Sequence, residues 1–265
     1  MTGMITLSPL DLSIAAFLVV ALAVLSFRMK LGVTRQIVVA ALRTTIQLLL
    51  VGMVLKTLFD HAAPWLLALI ALVMVTTAGW EVMSRQTRRL TGIWGFATGT
   101  AAMTVSSFSI TCLVLATVIR IDPWYTPQYA VPLLGMMLGN TMTGIAIGME
   151  RLTSTAWRDS AVIEGRLLLG QTWREAITEI RRESIRSAMI PTLNAMAVAG
   201  IVSLPGMMTG QILAGSPPME AVKYQILIMF TISAGTGFGA ILAVSVGARR
   251  LFDERQRLRL DRLTS

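Results

Sequence analysis

Residues 10–27 read LDLSIAAFLVVALAVLSF, a run interrupted by one charge, Asp11. At 1.5 Å per residue a helix of that run is about 27 Å long, close to the roughly 30 Å hydrocarbon core of a bilayer. Working outward, blocks of similar length and character recur at 37–59, 65–83, 93–119, 128–149, 188–214 and 222–247. They fill most of the chain and leave no room for a second soluble domain. The sequence therefore predicts an all-α integral membrane protein of about seven transmembrane helices, organised as a single transmembrane domain over 1–265. No basic segment or small-residue cleavage site accompanies the first block, so it is expected to be a retained helix.

Hydrophobic residues make up 54% of the chain and charged residues only 14%, while the net charge is +9. That charge does not read as a nucleic-acid surface, because the basic residues flank membrane ends and lack interleaved aromatics. They sort by side instead. Arg28, Lys30 and Arg35, then Arg85, Arg88 and Arg89, then seven arginines between Arg151 and Arg186, and finally the tail from Arg249 to Arg262 all fall on one side. The other side holds Lys56, Arg120 and Lys223. This asymmetry places the rich side in the cytoplasm and the N-terminus outside. Trp65, Trp124, Tyr125 and Tyr129 gather on the poor side, as an interfacial aromatic belt does. The expected location is the plasma membrane, the inner membrane in a bacterium.

The block at 188–214 contains Pro191, Gly200, Pro205, Gly206 and Gly210, enough to kink or break a helix. Broken backbone at membrane depth survives only against protein or water, so this segment is expected to face the interior. Glycines four apart, at Gly135 and Gly139, Gly144 and Gly148, Gly206 and Gly210, and Gly235 and Gly239, allow close helix approach.

Several residues carry chemistry. Arg43 and Gln47 lie one turn apart within the second span, and an arginine at that depth either pairs or snorkels, with Glu81 the nearest acid by register, or lines a transport path. Asn140 and Asn194 either bridge helices or face a permeation path, since an unsatisfied amide there would cost several kcal/mol. The hydroxyls Thr98, Thr100, Thr104, Ser106, Ser107, Ser109 and Thr111 are expected to bond their own helices. The seventeen methionines, among them Met136, Met137, Met207 and Met208, suit soft Cu(I) better than iron and read as helix-packing filler. The single cysteine, Cys112, reads as a core residue. HExxH, paired CxxC, Walker A and GxSxG motifs are absent from the sequence, and its one histidine, His61, falls in an external turn. The chain is thus expected to be non-catalytic, with no cofactor of its own, so energy for pumping would come from an ion gradient or another chain.

The segment 150–187 is charged and has apolar residues at helical spacing, broken by Gly170 into two short helices. Such a hairpin can lie on lipid, serve as a solvated linker, or dock into a groove on a soluble partner. The tail at 248–265 reads as a basic cytoplasmic segment able to bind anionic lipid.

Glu164, then Gly170 and Ile180 at the spacing seen here, resembles the coupling-loop pattern of ATP-binding-cassette importer permeases. The closing Leu and Pro of that pattern are replaced by Arg182 and Glu183. The adjoining runs RESIRSAMIPTLN (182–194), GIVSLPGMMTGQILAG (200–215), YQI (224–226) and GNTMTG (139–144) resemble the FetB family of permeases, also called the YbbM or UPF0014 family. The resemblance implies a half-transporter that works as two copies with a separate ATP-binding subunit of the FetA type, which would carry the ATP and Mg. It implies coupling through Glu164, Gly170, Thr172, Glu175 and Ile180. A path would be shaped by Arg43, Gln47, Glu81, Asn140, Asn194 and the turn Ser203, Pro205, Gly206, Met207, Met208, Thr209 and Gly210. The bacterial family is associated with iron export, and plant relatives with aluminium tolerance and UDP-glucose transport. The expected function is export of iron, another metal ion or a small solute. Readings from other classes are a lipid-binding scaffold or sensor and a gradient-driven secondary transporter, although no internal repeat supports the latter.

Overall fold

The computed structural model describes residues 8–60 and 64–264; the turn expected at His61 lies outside them. Among the described residues all extended regular structure is helical. Contacts divide the chain into two compact units, one holding the first two helices and the other everything from Pro64 onward.

In the first unit, α1 (Pro9–Arg28) and α2 (Thr34–Asp60) form a hairpin. Ser8 caps α1 through a reciprocal capping box with Asp11, which accounts for an acid at the head of an otherwise apolar helix. The turn between them needs left-handed backbone at Lys30 and Gly32 and is tied by Thr34 Oγ1 donating to Ser26 Oγ at 3.2 Å. Arg43 and Gln47 sit one turn apart on α2.

The second unit comprises α3 (Pro64–Ser84), α4 (Ile93–Leu113) with a π-helical extension over Val114–Ile119, α5 (Pro127–Arg158), α6 (Ser160–Leu168), α7 (Trp173–Ala176), α8 (Thr178–Val198), α9 (Gly206–Leu213) and α10 (Pro218–Arg250). Glycine positions give its register. A methyl at Gly144 would overlap Thr236, and one at Gly148 would sit 3.1 Å from Val244, so α5 and α10 run parallel. The same two glycines face Ala188, and Gly148 faces the Ser184 carbonyl, so α8 runs opposite to both. Gly99 meets Val82 and Ile145, and Gly239 meets Ser106 and Thr141, which sets α4 antiparallel to α3, α5 and α10. Helices running alternately up and down are what successive membrane crossings produce. In lipid, apolar burial gains little, so the close approach permitted by small residues decides which helices pair.

Among the described residues six helices are long and apolar enough to cross a membrane, and together they make a multi-pass membrane protein. The block at 188–214 is not one of them. It splits into α8, which begins well before the expected span, and the eight-residue α9, separated by a turn in which Gly200 takes φ +81° and donates to the Ser203 carbonyl at 2.9 Å. Pro205 then starts α9 as its N-cap. Because α5 and α10 run parallel, the chain between them must return to the side where α5 began, and α8 with α9 makes that journey in two pieces.

Of the glycine pairs, Gly144 with Gly148 and Gly235 with Gly239 lie in tight crossings, whereas Gly206 and Gly210 have open space around them. The fourth-span hydroxyls divide. Thr100, Thr104 and Ser106 donate to carbonyls of their own helix, while Thr98, Ser107 and Thr111 are buried without a partner.

The basic tail is folded. After α10 the chain turns back through a short helix at Leu260–Arg262 and lies against the α3–α4 turn. Thr91 N–H donates to the Arg262 carbonyl at 2.8 Å and Thr264 N–H to the Arg89 carbonyl at 2.9 Å. Leu251, Phe252 and Leu263 are buried. Its charges are also engaged: Arg257 pairs with Asp253 and Arg259 with Asp261, both at 2.8 Å, and Arg262 donates to the Arg250 carbonyl. A loose tail spread on lipid is therefore replaced by a packed strap, because leucines and a phenylalanine interleave the arginines.

Candidate functional site: a polar groove and an elbow

Most of α5 is buried on one side against α4, α8 and α10. Its remaining face carries Met136, Gly139, Asn140, Thr143, Ile147, Glu150, Arg151, Ser154 and Arg158, spaced three or four apart along one stripe. Toward the C-terminal end of α5 this stripe opens into a cleft of about 590 Å³ shared with Ser187 of α8 and Arg85 after α3. Asn194 lies two turns beyond Ser187 on α8. Since α8 runs antiparallel to α5, that step reaches the level of Asn140, two turns before Ile147. The two amides singled out from the sequence thus fall at about the same level of α5 and α8 by register, beyond the residues that line the cleft. Asn140 Nδ2 donates to the Met136 carbonyl at 2.8 Å, which keeps its amide satisfied while exposed.

The cleft holds three guanidiniums, those of Arg85, Arg151 and Arg158. Glu150, although in the cleft wall, is fully used: one carboxylate oxygen accepts from Thr87 N–H and the other from Ser154 Oγ, each at 2.7 Å. Arg158 is held bidentately by Asp159 at 2.8 and 3.1 Å, and that pairing keeps the Asp159 carboxyl below its ordinary value. Glu81 lies 3.8 Å from Arg85. The sequence counted these arginines only for topology; their convergence follows from the α3–α5–α8 register.

The turn at 199–205 and α9 occupy a different place. Met207 and Gln211 of α9 face Pro132 and Met136 of α5 and Tyr224 and Ile228 of α10, around a pocket of about 220 Å³. Ser203 pairs with Ala199 in a single bridge, and Thr209 Oγ1 donates to the Pro205 carbonyl at 3.2 Å. Met208 and Gly210 complete the short helix. The run 203–210 therefore packs on the outer part of the bundle, one turn from Asn140 through Met136. Among the described residues no three His, Cys, Asp or Glu side chains gather as a metal-ligand set.

The coupling residues form the second feature. Gly170, with φ +86°, lets the chain reverse after α6, a backbone setting that few other residues adopt without cost. Thr172 caps α7 through a reciprocal capping box with Glu175, whose carboxylate accepts from the Thr172 N–H and hydroxyl, both at 2.8 Å. Those bonds lower the Glu175 pKa from its ordinary value. Arg166 closes the hairpin onto the Ala176 carbonyl at 3.2 Å, and Ile180 packs against the core. Glu164 lines a groove beside the elbow. Between α6 and Gly170, Leu168 and Leu169 are 88% and 85% exposed. The sequence reading passed over these two leucines, although two apolar residues beside a reversal glycine were the available signal.

A family model described as "Uncharacterised protein family (UPF0014)" matches residues 9–252. The chain is 39% identical over 230 residues to a UPF0014 membrane protein, slr1647, of Synechocystis sp., covering 86% of this chain and 87% of that one. It is 32% identical over 248 residues to the probable iron export permease protein FetB of Escherichia coli, covering 94% and 93%. It is 34% identical over 232 residues to the UPF0014 membrane protein STAR2 of Oryza sativa subsp. japonica, covering 87% and 79%. No solved structure matches.

Proposed function

This chain belongs to the UPF0014 family of membrane proteins, and from that premise we propose that it is the membrane-spanning permease subunit of an ATP-driven transporter, exporting iron or another small solute from the cytoplasm. ATP and Mg would act on a separate ATP-binding subunit of the FetA type, and two copies of the permease would form the working unit. The observation that carries the reading is the pairing of one groove with one elbow. A polar stripe along α5 that is open on one side in a single copy is a costly surface to present to lipid, and a second copy closing over it would turn it into a path. The elbow at Gly170 is rigidly capped and presents leucines away from the bundle, as an element receiving motion from a partner would.

The arginine-lined mouth favours a second reading for the cargo. Three guanidiniums at the entrance suit an anionic solute, such as a sugar nucleotide or a metal held by an anionic chelator, better than a bare cation.

The test is reconstitution of the permease with its ATP-binding subunit in liposomes. ATP-dependent movement of ferrous iron, with ATPase activity stimulated by iron and lost in an Asn140→Leu, Asn194→Leu double variant, is expected. Stimulation by a sugar nucleotide and not by iron selects the second cargo. Absence of ATP-dependent flux under both conditions, with salt-sensitive lipid binding as the sole activity, overturns the transporter reading in favour of a scaffold.

A further inference from the structure

The elbow does not stand alone on the cytoplasmic side. A groove of about 760 Å³ separates it from the tail, with Glu164, Leu168 and Gly170 on one wall and Glu254, Gln256 and Leu258 on the other. We propose that the ATP-binding subunit grips both walls at once, so that the tail turn at 254–258 is the second half of its docking socket; this rests on the permease reading above.

Three observations identify a soluble protein as the occupant. The first is height. Helix α5 has 32 residues and α10 has 33, so each is about 48 Å long, more than the roughly 40–45 Å of a bilayer with its headgroups. Helix α5 starts beside the aromatic pair Trp124 and Tyr125, so its far end and the elbow beyond it clear the lipid surface.

The second is charge. On a face rich in arginine, the groove carries two carboxylates, Glu164 and Glu254, that make no ion pair among the described residues, beside Arg255, while Arg257 is committed to Asp253 at 2.8 Å. The carboxylates offset the arginines, so the groove has little pull on anionic headgroups. A protein surface with an apolar pocket for Leu168 and Leu169, rimmed by lysine or arginine, is complementary.

The third is the way the two walls are locked together. Trp173 N–H donates to Gln256 Oε1 at 2.9 Å, and the Trp173 ring packs on Phe252 with centroids 5.7 Å apart. Arg249 lies over the same ring at 5.2 Å. Gln256 adopts φ +59°, a left-handed setting that a glutamine keeps only where neighbouring contacts impose it. The tail turn is therefore held at a fixed offset from the elbow, as one half of a two-part socket must be.

The experiment uses the full-length permease in nanodiscs and a purified stand-alone ATP-binding-cassette subunit from the same organism. Leu168→Asp with Leu169→Asp is expected to abolish binding, and Glu254→Lys to weaken it at least about tenfold, both with unchanged thermal stability of the membrane domain. Absence of binding by the unaltered permease overturns the permease reading itself, and full binding by the leucine variant overturns the elbow as a docking wall and the socket with it. Loss in the leucine variant with wild-type binding by the tail variant overturns the socket and leaves that reading standing. Cross-linking gives a measurement independent of folding defects: Glu254→Cys in a Cys112→Ser background is expected to cross-link to the ATP-binding subunit as efficiently as Leu168→Cys. A cross-link from Leu168→Cys alone counts against the socket.

Discussion

At Gly144 the absence of a side chain does structural work, because a Cβ there would overlap Thr236 and lie 3.1 Å from the Ala188 carbonyl, where α5, α8 and α10 meet. At Gly139, one turn and a residue earlier, nothing lies within 4 Å. The same substitution should then have two outcomes. Gly144→Val is expected to destabilise the bundle by about 1–3 kcal/mol through overpacking, and Gly139→Val to leave it nearly unchanged. Thermal unfolding of the two variants in detergent checks this; equal effects would show that α5 does not approach its neighbours as described. Glycine spacing in the sequence flagged both residues alike, along with Gly206 and Gly210, which touch nothing. Spacing reports that a close approach is permitted, and only the neighbouring helix decides whether it occurs.

At the scale of the element, the break between α8 and α9 separates what the sequence could and could not specify. Six of the expected blocks are helices, since a long apolar run in lipid has no other way to satisfy its backbone. The block at 188–214 is also apolar but holds Gly200, Pro205 and Gly206, and the chain uses them to end one helix and begin another. Pro191, by contrast, is carried inside α8. Which proline breaks a helix and which is absorbed depends on packing, and composition does not reveal it. The local backbone yields a pair of opposite outcomes. Gly200, at φ +81°, sits in the turn, and Gly210 sits within α9; neither has an atom within 4 Å of an added Cβ. Gly200→Ala is expected to cost about 1–2 kcal/mol for left-handed backbone, whereas Gly210→Ala is expected to gain about 0.5–1 kcal/mol of helix propensity. Shifts of the unfolding midpoint in the same direction for both would contradict the break.

Over the whole molecule, the arginine-rich face is the part that sequence reading rendered least well. Arginines there served to orient the chain, and they do more: Arg85, Arg151 and Arg158 meet in one cleft, Arg88 stacks on Trp157 at 3.8 Å, and Arg250 lies over Trp94 at 4.5 Å. Contacts between residues more than 170 positions apart bring them together, and no local pattern encodes such contacts. Carboxylates hold this face. Backbone N–H groups of Thr172 and Arg257 are the leading causes that lower the pKa values of Glu175 and Asp253, and the Arg259 guanidinium does the same for Asp261. A depressed carboxylate contributes stability that is complete above its ordinary pKa and is lost as pH falls through its lower folded value. Hydrogen exchange over 172–177 and 251–264 is therefore expected to stay slow from neutral pH down to the ordinary carboxylate values of 4.5 and 3.8, and to accelerate below them, once corrected for intrinsic rates. Acceleration already between pH 7 and 5 would mean that other groups hold the strap.

The strap also sets an order of events during synthesis. Arg89 N–H donates to the Thr264 hydroxyl 175 residues later. At a translation rate of about 5–20 residues per second, the α3–α4 turn waits roughly 10–35 s for its partner to be made. Through that interval Leu90, almost completely covered in the finished protein at 2% exposure, has no strap over it, and the groove beside the elbow has one wall. The nascent chain is thus unable to offer both walls of that groove until residues 254–258 have been made, long after the elbow itself.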